Sequence, residues 1–227
     1  MRWAQLSDEV ALLQFPLRAL GIDFGRNTTL LRLRDGRVIV HSSGPFRDED
    51  VADMRRFGEP AWLLDATLAH DTFAKEARHA LPNVPYFAPE GFAKASGVAT
   101  RLLTAPPPEW LDQVDVLPLD GLRLTHEHAF FHRASRTLVL ADLLFHFSSH
   151  IRGWPRFFVR HLMGLPQLVG ISAFFRMLIR DKAALASSMR AVLEWNFGRI
   201  VVAHGAPVVD DAKSVLIEAL RARKIIH

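Results

Sequence analysis

Four places along this chain set polar, metal-competent side chains at the ends of short apolar runs, and this recurrence limits the fold most. Leu63-Leu64-Asp65 runs out through Ala66-Thr67-Leu68-Ala69 to His70-Asp71, and Thr125-His126-Glu127-His128 opens an apolar stretch. Thr137-Leu138-Val139-Leu140-Ala141 stops on Asp142, and Ile200-Val201-Val202-Ala203 stops on His204-Gly205. Uninterrupted apolar runs this short read as strands buried on both faces, which require a layer on either side. In the first half, strands alternate with helical patterns, and this β-α-β-α-β rhythm argues for an α/β layer structure.

The finer reading follows from periodicity. Residues 27–33 and 37–41 alternate around Asp35-Gly36, a hairpin signal. A helix over 48–56 starts on acidic residues, a strand covers 61–64, and a helix over 72–80 is stopped by Pro82. A further strand covers 84–88. The proline-rich loop at 105–108 separates two halves of one fold, with residues 1–227 forming one domain. Strands are then expected over 114–117, 121–125, 128–132 and 137–140. From 143 to 197 the pattern is helical, broken at Gly153-Trp154-Pro155 and Gly164-Leu165-Pro166; residues 146–197 read as a helical insert. A strand over 199–203 and an amphipathic helix over 210–223 complete the chain.

Composition narrows the chemistry. The chain has 227 residues, 49% of them hydrophobic and 23% charged, as expected of a globular protein that buries a sizeable core. It has no cysteine, which excludes thiolate catalysis, Fe–S clusters and Cys-type zinc sites. The formal net charge is +4, but only five of the 28 basic residues are lysines, and no run of five or six like charges occurs. No nucleic-acid-binding motif accompanies that charge, so no nucleic-acid partner is expected. The start of the chain, with Asp8 and Glu9 ahead of a short apolar stretch, does not read as a signal peptide. Arg or Pro breaks every apolar stretch before the ~20 residues of a membrane span. A cytoplasmic location is the expectation.

Each of the four places carries a functional and a structural reading. His70 and Asp71 lie beyond a strand's carboxyl end, where α/β proteins keep their sites; Asp71 equally serves as N-cap of the helix after it. Strand alternation puts His126 and His128 on one face, a way to present two imidazoles to one ion, or else a polar strand end in water. Asp142 either caps a helix or, buried ahead of Leu143-Leu144-Phe145, requires a cation or several hydrogen bonds. His204 is placed by a glycine turn.

In this order, the phrases TLLRLRDGRVIVHSSGP, LLDATLAHD, SRTLVLADLLF and RIVVAHGAPV resemble the metallo-β-lactamase superfamily. More narrowly they are similar to a divergent branch known only as a domain of unknown function. The resemblance covers roughly residues 10–215 and implies a four-layer αββα sandwich with metal held at one edge. Asp142 stands where the family has its bridging aspartate, with Ala141 for the preceding glycine. His204 stands where the family has its last metal histidine, with Ala203 for the first glycine of a Gly-His-Gly turn. His70 and Asp71 fall at the end of the family's His-x-His-x-Asp-His stretch. Ala66 and Leu68 replace its two leading histidines, and its Asp-His pair reads in reverse. Leu124 is near the position of another family histidine, with His126 two residues later. The ligand set so implied is His70, Asp71, His126, His128, Asp142 and His204. It suffices for one ion of zinc, iron or manganese rather than two, or for none if the site has decayed.

Two functions follow as expectations. The first is a metal-dependent hydrolase of a small ester, lactone or phosphoester, with Asp71 or Glu127 as base. The second is a metal-free superfamily member that binds partners through its pocket or its insert. The insert interleaves Trp154, Phe157, Phe158, Phe174 and Phe175 with Arg152, Arg156, Arg160, Arg176 and Arg180. It reads as an ordinary helical layer, a lid, a homodimer contact or a peripheral membrane patch. His146 is the insert histidine expected to reach the site.

Overall fold

Residues 3–227 are described by a computed structural model, and most of its strands divide between two sheets. The first sheet orders Ala4–Ser7, Val10–Phe15, Arg26–Arg32, Arg37–His41, Glu59–Leu64, Tyr86–Ala88 and Arg101–Leu102 side by side. Its first four strands pair antiparallel and the remainder add in parallel. The second sheet runs Val114–Pro118, His128–His132, Thr137–Leu140 and Arg199–Val202, with only the last pair parallel.

Three clusters of buried side chains stack these sheets into layers. Leu12, Leu31, Ile39, Trp62 and Leu64 of the first sheet meet Val114, Phe130, Val139 and Val201 of the second between the sheets. Outside the first sheet, helix Asp48–Phe57 brings Val51 and Met54 onto Leu30, Val40 and Leu63. Outside the second, helices Ala173–Leu178, Lys182–Glu194 and Ala212–Ala222 bury Phe175, Leu185, Met189, Val192, Leu216 and Leu220 on Leu138, Leu140 and Ile200. The order is helix, sheet, sheet, helix, the expected αββα sandwich.

The proline-rich loop does more than separate two halves. It leads into a single 3-10 turn, Pro108–Trp110, that delivers Trp110 between the sheets. There the indole meets Trp62, Phe87 and Phe130 at centroid distances of 6.1, 5.8 and 6.3 Å. Offset and tilted arrangements of this kind add to simple burial.

Two expectations about local structure are corrected. Residues 121–125 form no strand. Gly121 and Leu124 take positive φ, and the backbone of this segment is used sideways. The Gly121 carbonyl accepts from the N–H groups of Arg180 and Asp181, Arg123 N–H donates to Leu178, and the Thr125 carbonyl accepts from Leu68. A Cβ on Gly121 would stand 2.0 Å from the Asp181 carbonyl oxygen, so no other residue permits that approach. The insert, in turn, is not helical throughout. Phe145–His146 pairs with Val169–Gly170 as a two-stranded ribbon, and the helices between are short, as Gly153, Pro155, Gly164 and Pro166 enforce.

Phe130 sits fully buried at the centre of the inter-sheet layer. Phe130→Ala is expected to cost about 3–5 kcal/mol, read as a lower urea midpoint. Leu111→Ala, at a side chain exposed to solvent, should change stability by no more than about 0.5 kcal/mol.

Candidate metal centre

At one edge of the sandwich three of the expected side chains converge. Strand Glu59–Leu64 ends in the turn Leu68–Phe73 that carries His70. Strand Thr137–Leu140 leads directly to Asp142, and strand Arg199–Val202 to His204. His70 Nε2 lies 3.1 Å and His204 Nε2 3.2 Å from the same carboxylate oxygen, Asp142 Oδ1. The three ligand atoms all fall within 4.8 Å of one another. The parallel pairing of the last two strands explains part of this convergence: Leu140 sits opposite Val202, so Asp142 and His204 each follow two residues beyond one shared register line.

The imidazole of His204 is held in a defined tautomer. Its Nδ1 stands 2.6 Å from the carbonyl oxygen of Gly25, a contact that only an N–H donor satisfies. In the neutral ring, Nε2 then presents a lone pair to the Asp142 carboxylate. A proton on that Nε2, or a cation held between the two atoms, satisfies the 3.2 Å approach. Two imidazole nitrogens and one carboxylate oxygen are a donor set for zinc, iron or manganese, so the residues fit a bound ion.

Neighbours that carry no ligand atom maintain this geometry. Phe145 stacks on His204 with centroids 5.4 Å apart and planes within 10°. Asn27 Nδ2 donates to the carbonyls of Val202 and Gly205, both at 2.7 Å, clamping the His204 turn to the first sheet. Gly205 is required there: its φ is +102°, and a Cβ would meet the His146 carbonyl oxygen at 1.9 Å. Beneath His70, the fully buried Arg26 guanidinium donates to the His70 carbonyl and faces Asp65 at 3.7 Å. Asp65 also accepts from Tyr86 Oη and Ser43 N–H.

Burial sets the protonation of these groups. It pushes His70 down to about 4, with the Arg26 cation acting in the same direction, so the ring is neutral at pH 7. Burial also works against charge on Asp142. His70 and His204, which surround its carboxylate, outweigh that and hold it well below the usual range. Asp65 is pushed up to about 6 by burial, with Arg26 opposing.

The other expected residues lie elsewhere. Glu127 is fully buried, and its two oxygens accept the N–H groups of Ala141, Asp142 and Leu143 at 3.0–3.2 Å. It holds the Asp142 loop and, being fully buried, has no surface from which to meet a substrate. Burial, and then the Asp142 charge, push its carboxyl up to about 8. His126 and His128 do not share a strand face. His126 takes φ +48° outside the strand and is exposed, whereas His128 turns its Nδ1 onto the His126 carbonyl oxygen at 2.9 Å. Asp71 is half-buried beside His70, and the cap of its turn is the Thr67 hydroxyl rather than Asp71. His146 reaches the neighbouring turn: its Nδ1 lies 3.0 Å from the Ala206 carbonyl oxygen. Arg26, Asn27, Gly25 and Phe145 were not marked out by the sequence. The sequence carries no local signal for Arg26 and Asn27, since the strand they open, RNTTLLR, is polar again at Thr28, Thr29 and Arg32.

No family model and no curated protein sequence matches the chain. Solved structures do. A metallo-β-lactamase from Pontibacter korlensis superposes with a TM-score of 0.65 at 12% identity, over 96% of this chain and 98% of that one. One from Erythrobacter litoralis, with β-mercaptoethanol in its active site, gives 0.66 at 15% identity, over 97% and 96%. The FIM-1 enzyme from Pseudomonas aeruginosa, in its mono-zinc form, gives 0.64 at 11%, over 98% and 96%. At these identities the likeness is one of fold: the chain has the metallo-β-lactamase fold over nearly its whole length.

Two outcomes are expected of this site. Glu127→Gln puts an amide N–H against backbone N–H groups. It should cost about 1–3 kcal/mol in urea unfolding and loosen the Asp142 loop, read as faster amide exchange at residues 141–143. The second concerns acid. His41, buried edge-on against Phe130 at 4.8 Å, is pushed down to about 3 by burial. In the unfolded chain the same imidazole titrates near 6.5, so the unfolded state binds more protons between those values. Its neutral form therefore supports the fold fully above pH 6.5, and that support declines as pH falls towards 3. Relative to pH 8, His41 should withdraw about 2 kcal/mol at pH 5. His41→Phe should remove that part of the acid sensitivity, measured as urea midpoints against pH.

Proposed function

We propose that this chain, built on the metallo-β-lactamase fold, is a metal-dependent hydrolase that works with a single ion. The observation that carries this reading is the convergence of His70, Asp142 and His204, with the His204 tautomer pinned by Gly25. The first two histidine positions of the family stretch are occupied by Ala66, fully buried, and Leu68, packed on the outer core. Leu124, near another, is exposed to solvent. A second ion has no comparable ligand set among the described residues.

In this reading the three side chains hold zinc, iron or manganese. When bound, such an ion polarises a scissile carbonyl or phosphoryl group and acidifies a water. His70, neutral at pH 7, offers an imidazole lone pair at no cost of deprotonation. Arg26 braces the backbone beneath it, so the ring does not drift when substrate arrives. Asp71, adjacent to His70, is the proton acceptor we assign: unlike Glu127, its carboxylate carries no hydrogen bond among the described residues. The substrate class is a small ester, lactone or phosphoester.

The deciding measurement is metal content of protein purified without tag or chelator, followed by ester, lactone and phosphodiester hydrolysis. About one equivalent of metal is expected, lost together with activity in Asp142→Ala/His204→Ala. Asp71→Asn should retain the metal while lowering kcat by about 10²-fold or more. Protein that holds no metal, even after added zinc, would leave a metal-free fold member acting through its surface.

A further inference from the structure

We infer that the insert is a docking surface for anionic lipid bilayers. This goes beyond the proposed hydrolysis and does not depend on metal. From Leu143 to Arg180 the chain has five arginines and not one acidic residue. Removing those five from the 28 basic residues leaves 23 against 24 acidic ones, so the excess positive charge of the molecule resides in this segment. Arg152, Arg160, Arg176 and Arg180 are all exposed. The acidic residues flanking the segment are both engaged, Asp142 in the metal centre and Asp181 as N-cap for Ala184.

Large apolar side chains lie exposed among these arginines: Leu20, Trp154, Phe157, Leu162, Phe174 and Met177. Apart from Leu162, they are linked rather than scattered. Trp154 donates its indole N–H to the Leu20 carbonyl at 3.0 Å, and its ring stacks on Phe157 at 5.9 Å. Trp154 and Phe174 both contact Phe158, at 5.8 and 6.2 Å. Met177 follows Phe174 by three residues, on the same side of helix Ala173–Leu178. Aromatic side chains bordered by arginine match an interfacial surface: the rings enter the headgroup region and the guanidinium groups pair with lipid phosphates. Charge selects the occupant. A second copy of this chain would bring the same arginines face to face, and a neutral apolar partner would leave them unused.

The test is co-sedimentation with vesicles of phosphatidylcholine alone or mixed with phosphatidylglycerol, using the full chain. Binding is expected to the mixed vesicles only, and to weaken at high salt. Arg160→Glu/Arg176→Glu should bind roughly tenfold or more weakly, and Phe157→Ser/Met177→Ser should also lose binding. All four changes are at exposed positions, and circular dichroism checks that each variant is folded. Absence of binding to anionic vesicles at low salt overturns the proposal. So does loss with the charge reversals alone, which would mark attraction to any polyanion. So does a dimer in sedimentation equilibrium that Phe157→Ser/Met177→Ser dissociates, without vesicle binding.

Discussion

The hydrogen bond from His204 Nδ1 to the Gly25 carbonyl joins the two sheets at the edge where His70, Asp142 and His204 meet. Gly25 precedes a strand of the first sheet, and His204 follows a strand of the second. Alone, such a bond contributes about 1 kcal/mol. It operates here with the Asn27 amide, which ties the Val202 and Gly205 carbonyls to the same first-sheet strand. Together they fix the register between the sheets, select one tautomer and aim one lone pair. The stacked Phe145 then prevents the ring from turning. The convergence with Asp142 rests on these contacts more than on the ligands themselves.

A second constraint lies beneath His70. Arg26, Asp65 and Tyr86 are all buried, and an ion pair in that setting gives little net stability after desolvation. Its effect is positional. Arg26 and Ser43 both donate to the His70 carbonyl, and Asp65 binds the Ser43 N–H. The loop carrying His70 therefore follows a rigid polar platform. Glu127 does the same for the Asp142 loop through three backbone N–H groups. Two carboxylates read from the sequence as candidates for chemistry thus divide: Asp142 faces the centre and Glu127 builds the loop that presents it.

Charge shows a similar division between what is summed and what is placed. A net charge of +4 spread over a surface implies little. Here it is concentrated in one segment, residues 143–180, that has no acidic residue and interleaves its arginines with exposed aromatic side chains.

What the sequence determined by itself was many of the elements but not all: strands Ala4–Ser7 and Val10–Phe15 have no counterpart in it, and residues 121–125 form no strand. Apolar runs closing on Asp142 and His204, the Asp35-Gly36 hairpin and the final helix all follow from local pattern, because burial period and turn chemistry act over a few residues. The layered fold was legible for the same reason, aided by a resemblance carried on four short phrases. The tertiary structure alone decided which polar residues meet. Residues 121–125 have strand-like composition, yet their backbone groups bond to Leu68, Leu178, Arg180 and Asp181, which turns His126 out to solvent. His70 and His204 reach one carboxylate oxygen from points 134 residues apart because strands from different parts of the chain end at one edge. Arg26 and Asn27 carry no local signal, since their partners are brought to them by packing between sheets. Periodicity acts along the chain, whereas a site is a meeting across it.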